Sequence, residues 1–308
     1  MIDMFNIPVD NLATQVFYFN GSGDWQTWSK PSNAKHVYFF VLGGGSGGGG
    51  GRTVAANSSP GGGGGASAGY TVGLYQASLL PDILYLQVGK GGEGGAANTA
   101  GSSGEISYVS VRPDIASTIN IFLQSSAAAP TGGGGAFSTT GVGAGGTAAT
   151  IWDHTTGLFG ELGIVSGNPG QNGTSGTGTG GTVNNITPVG PVTGGAGGGA
   201  VSGAATGYNG GSILGTSYLP QISSGTINAA DLTINGKAGT NNIFGFGQMP
   251  MFFLGGSGGG SATTAGRAGG NGGNGGYGCG GGGGAGTYNG TGGSGGKGGD
   301  GLIMIVCV

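Results

Sequence analysis

Hydrophobic positions in this chain fall in short runs of strand character, and blocks of glycine separate them. Gln15-Val16-Phe17-Tyr18-Phe19 is β-branched and aromatic, and it stops at Asn20-Gly21, a turn signal. His36 to Leu42 is apolar at nearly every position, which predicts a strand covered on both faces. Gly69 to Leu74 and Asp82 to Val88 read as two more strands. Glu105 to Val111 alternates, placing Ile106 and Tyr108, or their neighbours, on one face. Ile119 to Leu123 closes this β region. Leu302 to Val308 is the second long apolar run. Like His36–Leu42 it abuts a glycine block, so the two are expected to pair. Glycine interrupts every window of helical length, and no helix is predicted.

Beyond about residue 132, glycine blocks alternate with segments of ordinary composition, chiefly 150–165, 182–191 and 212–254. The clearest blocks repeat every third residue, as in Gly269-Gly270-Asn271, Gly272-Gly273-Asn274 and Gly275-Gly276-Tyr277. A repeat of three fits neither helix nor strand. It fits an extended left-handed coil with about 3 residues per turn, which makes no backbone hydrogen bonds of its own. With no Cβ on two of its three ridges, such a coil can lie flush against others and exchange amide bonds with them. The side chains of the third position would line the outer face. The expected fold is mostly β plus a non-standard part. N- and C-terminal strands form a small β-sandwich-like base within residues 1–130, carrying the first glycine blocks. Residues 131–308 form a body of packed polyglycine II helices with projecting loops, and the last strand returns to the base. Loops on a rigid support are where binding residues concentrate.

Composition narrows the function. Glycine supplies 85 of 308 residues. Charged residues are 6% of the chain, against a usual ~25%, and no Lys or Arg occurs between Arg112 and Lys237. A chain of net charge −3 with scattered cations does not suit nucleic-acid phosphates, nor does it favour an anionic membrane. Hydrophobic residues at 36% argue for an ordered chain. Collagen requires sustained Gly-X-Y with Pro at 15–20% or more, whereas only 11 prolines are present. No run approaches the ~20 apolar residues of a membrane span. The first residues carry acid where a secretory signal needs basic ones.

Catalytic and cofactor chemistry finds little support. Gly-x-Gly-x-x-Gly recurs too often here to mark a dinucleotide site, and Gly89-Lys90-Gly91-Gly92 lacks the order of a phosphate loop. Asp153-His154 is the one adjacent acid–imidazole pair, and its plainer reading is a polar pair in a solvated loop. Two histidines and two distant cysteines, Cys279 and Cys307, make no metal-ligand spacing. The expectation is a binding or structural protein, not an enzyme, with no cofactor and no metal.

Three stretches together carry a resemblance. They are Trp25-Gln26-Thr27-Trp28-Ser29-Lys30-Pro31 followed by the strand His36–Leu42 and a glycine block, then Leu84-Tyr85-Leu86-Gln87-Val88-Gly89-Lys90-Gly91-Gly92, and finally Gly298-Gly299-Asp300-Gly301-Leu302-Ile303-Met304-Ile305-Val306. In this order the chain, from about residue 15, resembles the glycine-rich domain of bacteriophage tail and other virion proteins. Its later part is similar to the glycine-rich adhesins that tip the long tail fibres of T-even-like phages. The resemblance implies polyglycine II helices sandwiched in a lattice, with loops that recognise a host surface receptor. It implies a virion location after synthesis in the host cytoplasm. The implied partners are other virion proteins and a host cell-surface protein or polysaccharide, and self-association into a homo-oligomer stays open. The β region at 70–123 and the inserts near 150–165 and 212–254 depart from that adhesin pattern. A purely structural virion subunit therefore stands as the alternative. Receptor-contact candidates on the non-glycine segments are Phe137, Trp152, His154, Phe159, Tyr208, Tyr218, Phe244, Phe246, Phe252 and Phe253; the plainer reading packs these aromatics against the glycine rods. Trp25 and Trp28 either pack under the base strands or dock to another virion subunit.

Overall fold

A computed structural model describes residues 15–54, 58–125, 143–148, 161–175, 178–183, 192–202, 206–214, 222–223, 225, 241–242 and 252–308. The strands are β1 (Gln15–Asn20), β2 (Trp25–Ser29), β3 (His36–Leu42), β4 (Thr53–Val54), β5 (Ser58–Ser59), β6 (Tyr70–Gln76), β7 (Ile83–Gln87), β8 (Tyr108–Ser110) and β9 (Ile121–Gln124). They continue with β10 (Glu161–Val165), β11 (Val201–Ser202), β12 (Thr206–Gly207), β13 (Asn241–Asn242), β14 (Phe252–Phe253), β15 (Thr287–Tyr288) and β16 (Leu302–Cys307). Helix among the described residues is limited to two single 3₁₀ turns, at Ala77–Leu79 and Thr118–Asn120. The protein is mostly β, and both of its larger sheets are antiparallel.

The first sheet has the order β1-β16-β3-β6-β10, and the second β2-β7-β8-β9. The two apolar runs at opposite ends of the sequence do pair, Leu302 with Leu42 through Cys307 with Val37. Alternation then sorts their side chains. Val37, Phe39, Val41, Ile303 and Ile305 face Trp28, Leu84, Leu86, Val109 and Leu123 of the second sheet in one apolar cluster. Phe40, Leu42, Leu302, Met304 and Val306 face the other way, against Val192, Phe253 and Cys279 of the glycine-rich part. Both faces of β3 are therefore covered, as its unbroken apolarity requires. Rings meet edge-to-face inside the first cluster, with Trp28 and Phe39 centroids 6.0 Å apart and Phe39 and Tyr75 5.9 Å apart.

Some elements differ from expectation. Trp25–Ser29, not predicted as a strand, pairs with β7 along its length. The alternating run 105–111 pairs only over 108–110, and Val109, not Tyr108, enters the core. Upstream, Glu105 is held by the glycine coils, donating to the Lys90 carbonyl and accepting from Gly44. Residues 119–120 belong to a 3₁₀ turn, and Ile119 is 86% exposed. Part of the expected loop 150–165 is strand β10, which extends the first sheet beside β6.

The glycine runs carry neither helix nor strand, yet their amides are paired. In run 279–286, Cys279, Gly282 and Ala285 donate to Gly276, Gly273 and Gly270. Gly280, Gly283 and Gly286 donate to Thr193, Ala196 and Gly199, while Gly281 and Gly284 donate to Ser46 and Gly49. Successive N–H groups thus turn to three different neighbours in rotation. The carbonyls do the same in reverse, accepting from runs 255–261, 61–68 and 292–300. At the glycines of this run a side chain would collide with a neighbouring backbone. A Cβ on Gly283 would overlap the Gly62 carbonyl oxygen, and one on Gly281 that of Gly296. The pairing ignores residue 130: Gly45, Gly48 and Gly51 donate to Gly299, Gly296 and Gly293. The early and late glycine blocks make one body.

Candidate functional surface

The runs share one axis, which gives the molecule two unlike ends. Run 43–52 leaves β3 and runs outward to β4, while run 60–68 returns from β5 to β6. Run 292–300 returns from β15 to β16 in the same way. The outer end therefore gathers β4, β5, β11, β12 and β15 with their turns. Two of the turns there place non-glycine residues at positive φ, Asn98 at 64° and Asn289 at 49°. Its described side chains are mostly Thr, Ser and Asn, with Arg52 half-buried, Arg267 exposed, Tyr208 and Tyr288 half-buried, and no described acid. Exposed polar turns on a rigid support can present hydrogen-bonding groups without unfolding when they vary.

The opposite end mixes apolar and charged side chains. Loops 30–35, 77–82 and 111–120 meet there with the C-terminal Val308, whose carbonyl accepts from Lys35 and His36. Leu79, Val111, Ile115 and Ile119 are exposed on these loops and Ile83 at the start of β7, Leu79 at 68%, beside exposed Lys35, His36, Asp82, Arg112 and Asp114. Lys30 ties the second loop down, donating to the Ala77 carbonyl at 2.9 Å and the Leu80 carbonyl at 2.7 Å. Exposed apolar residues scattered among charged ones are ordinary on a protein surface.

The third positions of two adjacent runs form a ladder along the side. Asn271 Oδ1 accepts the Ser294 N–H at 2.9 Å, and Asn274 Oδ1 accepts the Lys297 N–H at 2.9 Å. Lys297 Nζ lies 3.2 Å from Glu93 and 4.0 Å from Asp300. Asp300 also accepts the Gly91 N–H at 2.8 Å. An open groove of about 260 Å³ runs beside this ladder, lined by Asn274, Tyr277, Lys297, Asp300 and glycine backbone. Its side chains are already committed to holding neighbouring runs together, so a structural role accounts for them.

The aromatic candidates divide. Phe253 is fully buried, in contact with Tyr277 at 5.9 Å edge-to-face, and cannot touch a receptor. Its neighbour Leu254 is also buried, with Val183, Ala196, Ile213 and Ile222. Parts of 212–254 thus form a small core because their apolar residues face the glycine coils. Trp28 is 1% exposed and packs between Phe17 and Phe39, so it belongs under the base strands and is unavailable for docking. Trp25, on the same strand, is half-buried. Tyr208 is half-buried at the outer end, beside Ser261. Phe252 lies on β14, paired with Asn242. Phe137, Trp152, His154, Phe159, Tyr218, Phe244 and Phe246 lie outside the described residues. Of the exposed apolar residues, Ile83, Val111 and Ile119 sit in segments that read as strand in the sequence, while Leu79 and Ile115 fall between such segments.

Ionisable groups show burial rather than activation. Burial pushes the Cys279 thiol up to about 12 and the Cys307 thiol up to about 11. Both thiols stay protonated, unlike reactive cysteines. Burial, aided by Tyr70, pushes the Tyr38 phenol up to about 12. Among the described residues, no group of His, Cys, Asp and Glu is placed to hold a metal ion, and no helix is long and apolar enough to cross a membrane. No family model matches the sequence, and no curated protein matches it.

Proposed function

We propose that this protein is a bacteriophage virion protein, a tail-fibre or tail-tip adhesin that binds a host surface receptor without catalysis. In this reading the glycine runs are polyglycine II helices packed side by side on a small sandwich-like base. The observation that carries it is the rotation of amide bonds around run 279–286, which gives to three neighbouring runs and takes from three others. Such a lattice makes a stiff rod from a composition that ordinarily stays flexible. Stiffness suits a body that must hold recognition loops away from a particle. The polar outer end supplies the host-facing side, and the opposite end, with exposed Leu79, Ile83 and Ile119 among charged residues, faces the particle.

A second reading is favoured by the exposed Leu79, Ile83 and Ile119 at that end. A structural subunit of head, tail or fibre also needs a docking surface, and it needs no receptor. Purified protein tests the first reading: it should bind susceptible cells, and exchange of segments within 150–165 or 212–254 should change which cells are bound. Absence of cell binding, with many copies per particle in a reconstruction, would leave the structural reading.

A further inference from the structure

We infer that Asn289 is a site of spontaneous deamidation, and that coil packing shields the Asn–Gly pairs of the glycine runs from the same reaction. The sequence holds this dipeptide at Asn20, Asn172, Asn209, Asn271, Asn274 and Asn289 among the described residues. The chemistry is common to all six. Base removes the proton from the nitrogen of the following glycine, and that nitrogen attacks the asparagine Cγ. A new N–C bond closes a five-membered imide as the bond from Cγ to Nδ2 breaks, and the amide nitrogen leaves as ammonia. Water then opens the ring at either carbonyl, giving aspartate or isoaspartate. Glycine as the following residue leaves the attacking nitrogen unhindered. The remaining requirements are that this N–H be free and that the asparagine be able to rotate.

The fold separates the six on those requirements. Asn271 and Asn274 each hold the facing run through Oδ1, and their following glycines donate to Ser294 and Lys297 at 2.8 Å. Asn172 Oδ1 accepts from Gly145 at 2.8 Å, and Gly173 donates to Gly143 at 2.8 Å. Gly210, after Asn209, donates to Gly225 at 3.1 Å. Asn20 is exposed, and neither its side chain nor the Gly21 N–H makes a hydrogen bond among the described residues, but it closes β1 opposite Leu302 and its carbonyl accepts from both Ser22 at 2.9 Å and Gln26 at 3.1 Å. Asn289 lies in no strand. It is exposed in a turn at φ 49°, and among the described residues neither its side chain nor the Gly290 N–H makes a hydrogen bond. Its carbonyl accepts the Gly266 N–H at 2.9 Å, but rotation of its side chain breaks no coil-to-coil bond. The product has a consequence at the outer end, because a carboxylate arises near Arg267 where no described acid stands. Isoaspartate further lengthens the backbone just before Thr291, whose carbonyl accepts the Gly269 N–H.

The test is peptide mapping by mass spectrometry of the intact folded protein, held at mildly alkaline pH and sampled over time. Asn289 should convert at least about tenfold faster than Asn271, Asn274 and Asn172, a ratio that corresponds to about 1.4 kcal/mol. Asn20 should fall between. In denaturant the six rates should converge, because the dipeptide is the same. Asn289→Gly, which suits the positive φ, should abolish the conversion at 289 with the thermal midpoint little changed. Equal rates in the folded state, or Asn271 or Asn274 leading, would overturn the inference. Neither result depends on whether the protein binds a host.

Discussion

Gly283→Ala probes the coil packing at its centre. The added Cβ would overlap the Gly62 carbonyl oxygen, with the Gly198 nitrogen also 2.8 Å away. Neither neighbour is a side chain that can swing aside, so a backbone must move. Four bonds meet at this contact: Gly283 to Ala196, Gly259 to Gly283, Gly62 to Gly284 and Gly198 to Gly62. At about 0.5–1.5 kcal/mol net for each hydrogen bond, losing them costs roughly 2–6 kcal/mol. Alanine gives back about 0.4–1 kcal/mol by restricting the unfolded chain. The net expectation is a loss of roughly 1–5 kcal/mol. Asn271→Ala is the matched control, since it alters an exposed third position and loses the two Oδ1 bonds to Ser294, about 1–3 kcal/mol at the same rate. Differential scanning calorimetry compares the two with the parent protein. A Gly283→Ala protein as stable as the parent would refute the claim that glycine is needed there for close approach.

Trp28→Ala should cost about 3–5 kcal/mol in urea unfolding. Trp28→Phe should cost clearly less, because the buried indole N–H has no partner among the described residues and its removal leaves nothing unsatisfied. Lys30→Met should lower stability by roughly 1.5–3 kcal/mol through the lost bonds to Ala77 and Leu80. Asp82→Asn should change little, since Asp82 is 93% exposed and such pairs are weak. Stability should hold from neutral pH to about 9 and then fall. Cys279 and Cys307 would ionise near 9 when unfolded but near 12 and 11 when folded. Tyr38 adds a loss between 10 and about 12. In each case the unfolded state sheds its proton first, so rising pH favours unfolding across that window. Thermal midpoints measured across the alkaline range check this, and a flat profile to pH 12 would contradict it.

The sequence by itself determined the strands whose side-chain pattern is strong. β1, β3, β6, β7 and β16 were legible because β-branched and aromatic runs end at glycine or turn residues, and the pairing of β3 with β16 followed from their shared apolarity. A repeat of three likewise foretold that glycine runs would be neither helix nor strand. Tertiary structure decided the rest. β2 exists because β7 offers it a ladder and because Trp28 finds a pocket between Phe17 and Phe39. Phe253, for which the sequence left receptor contact and packing against the rods both open, is interior because Cys279 and Met304 come from distant segments to cover it. The partners of each glycine amide cannot be read along the sequence, because a bare ridge has no side chain to specify its neighbour. Their identity depends on how the base strands aim the runs, and only the assembled fold fixes that.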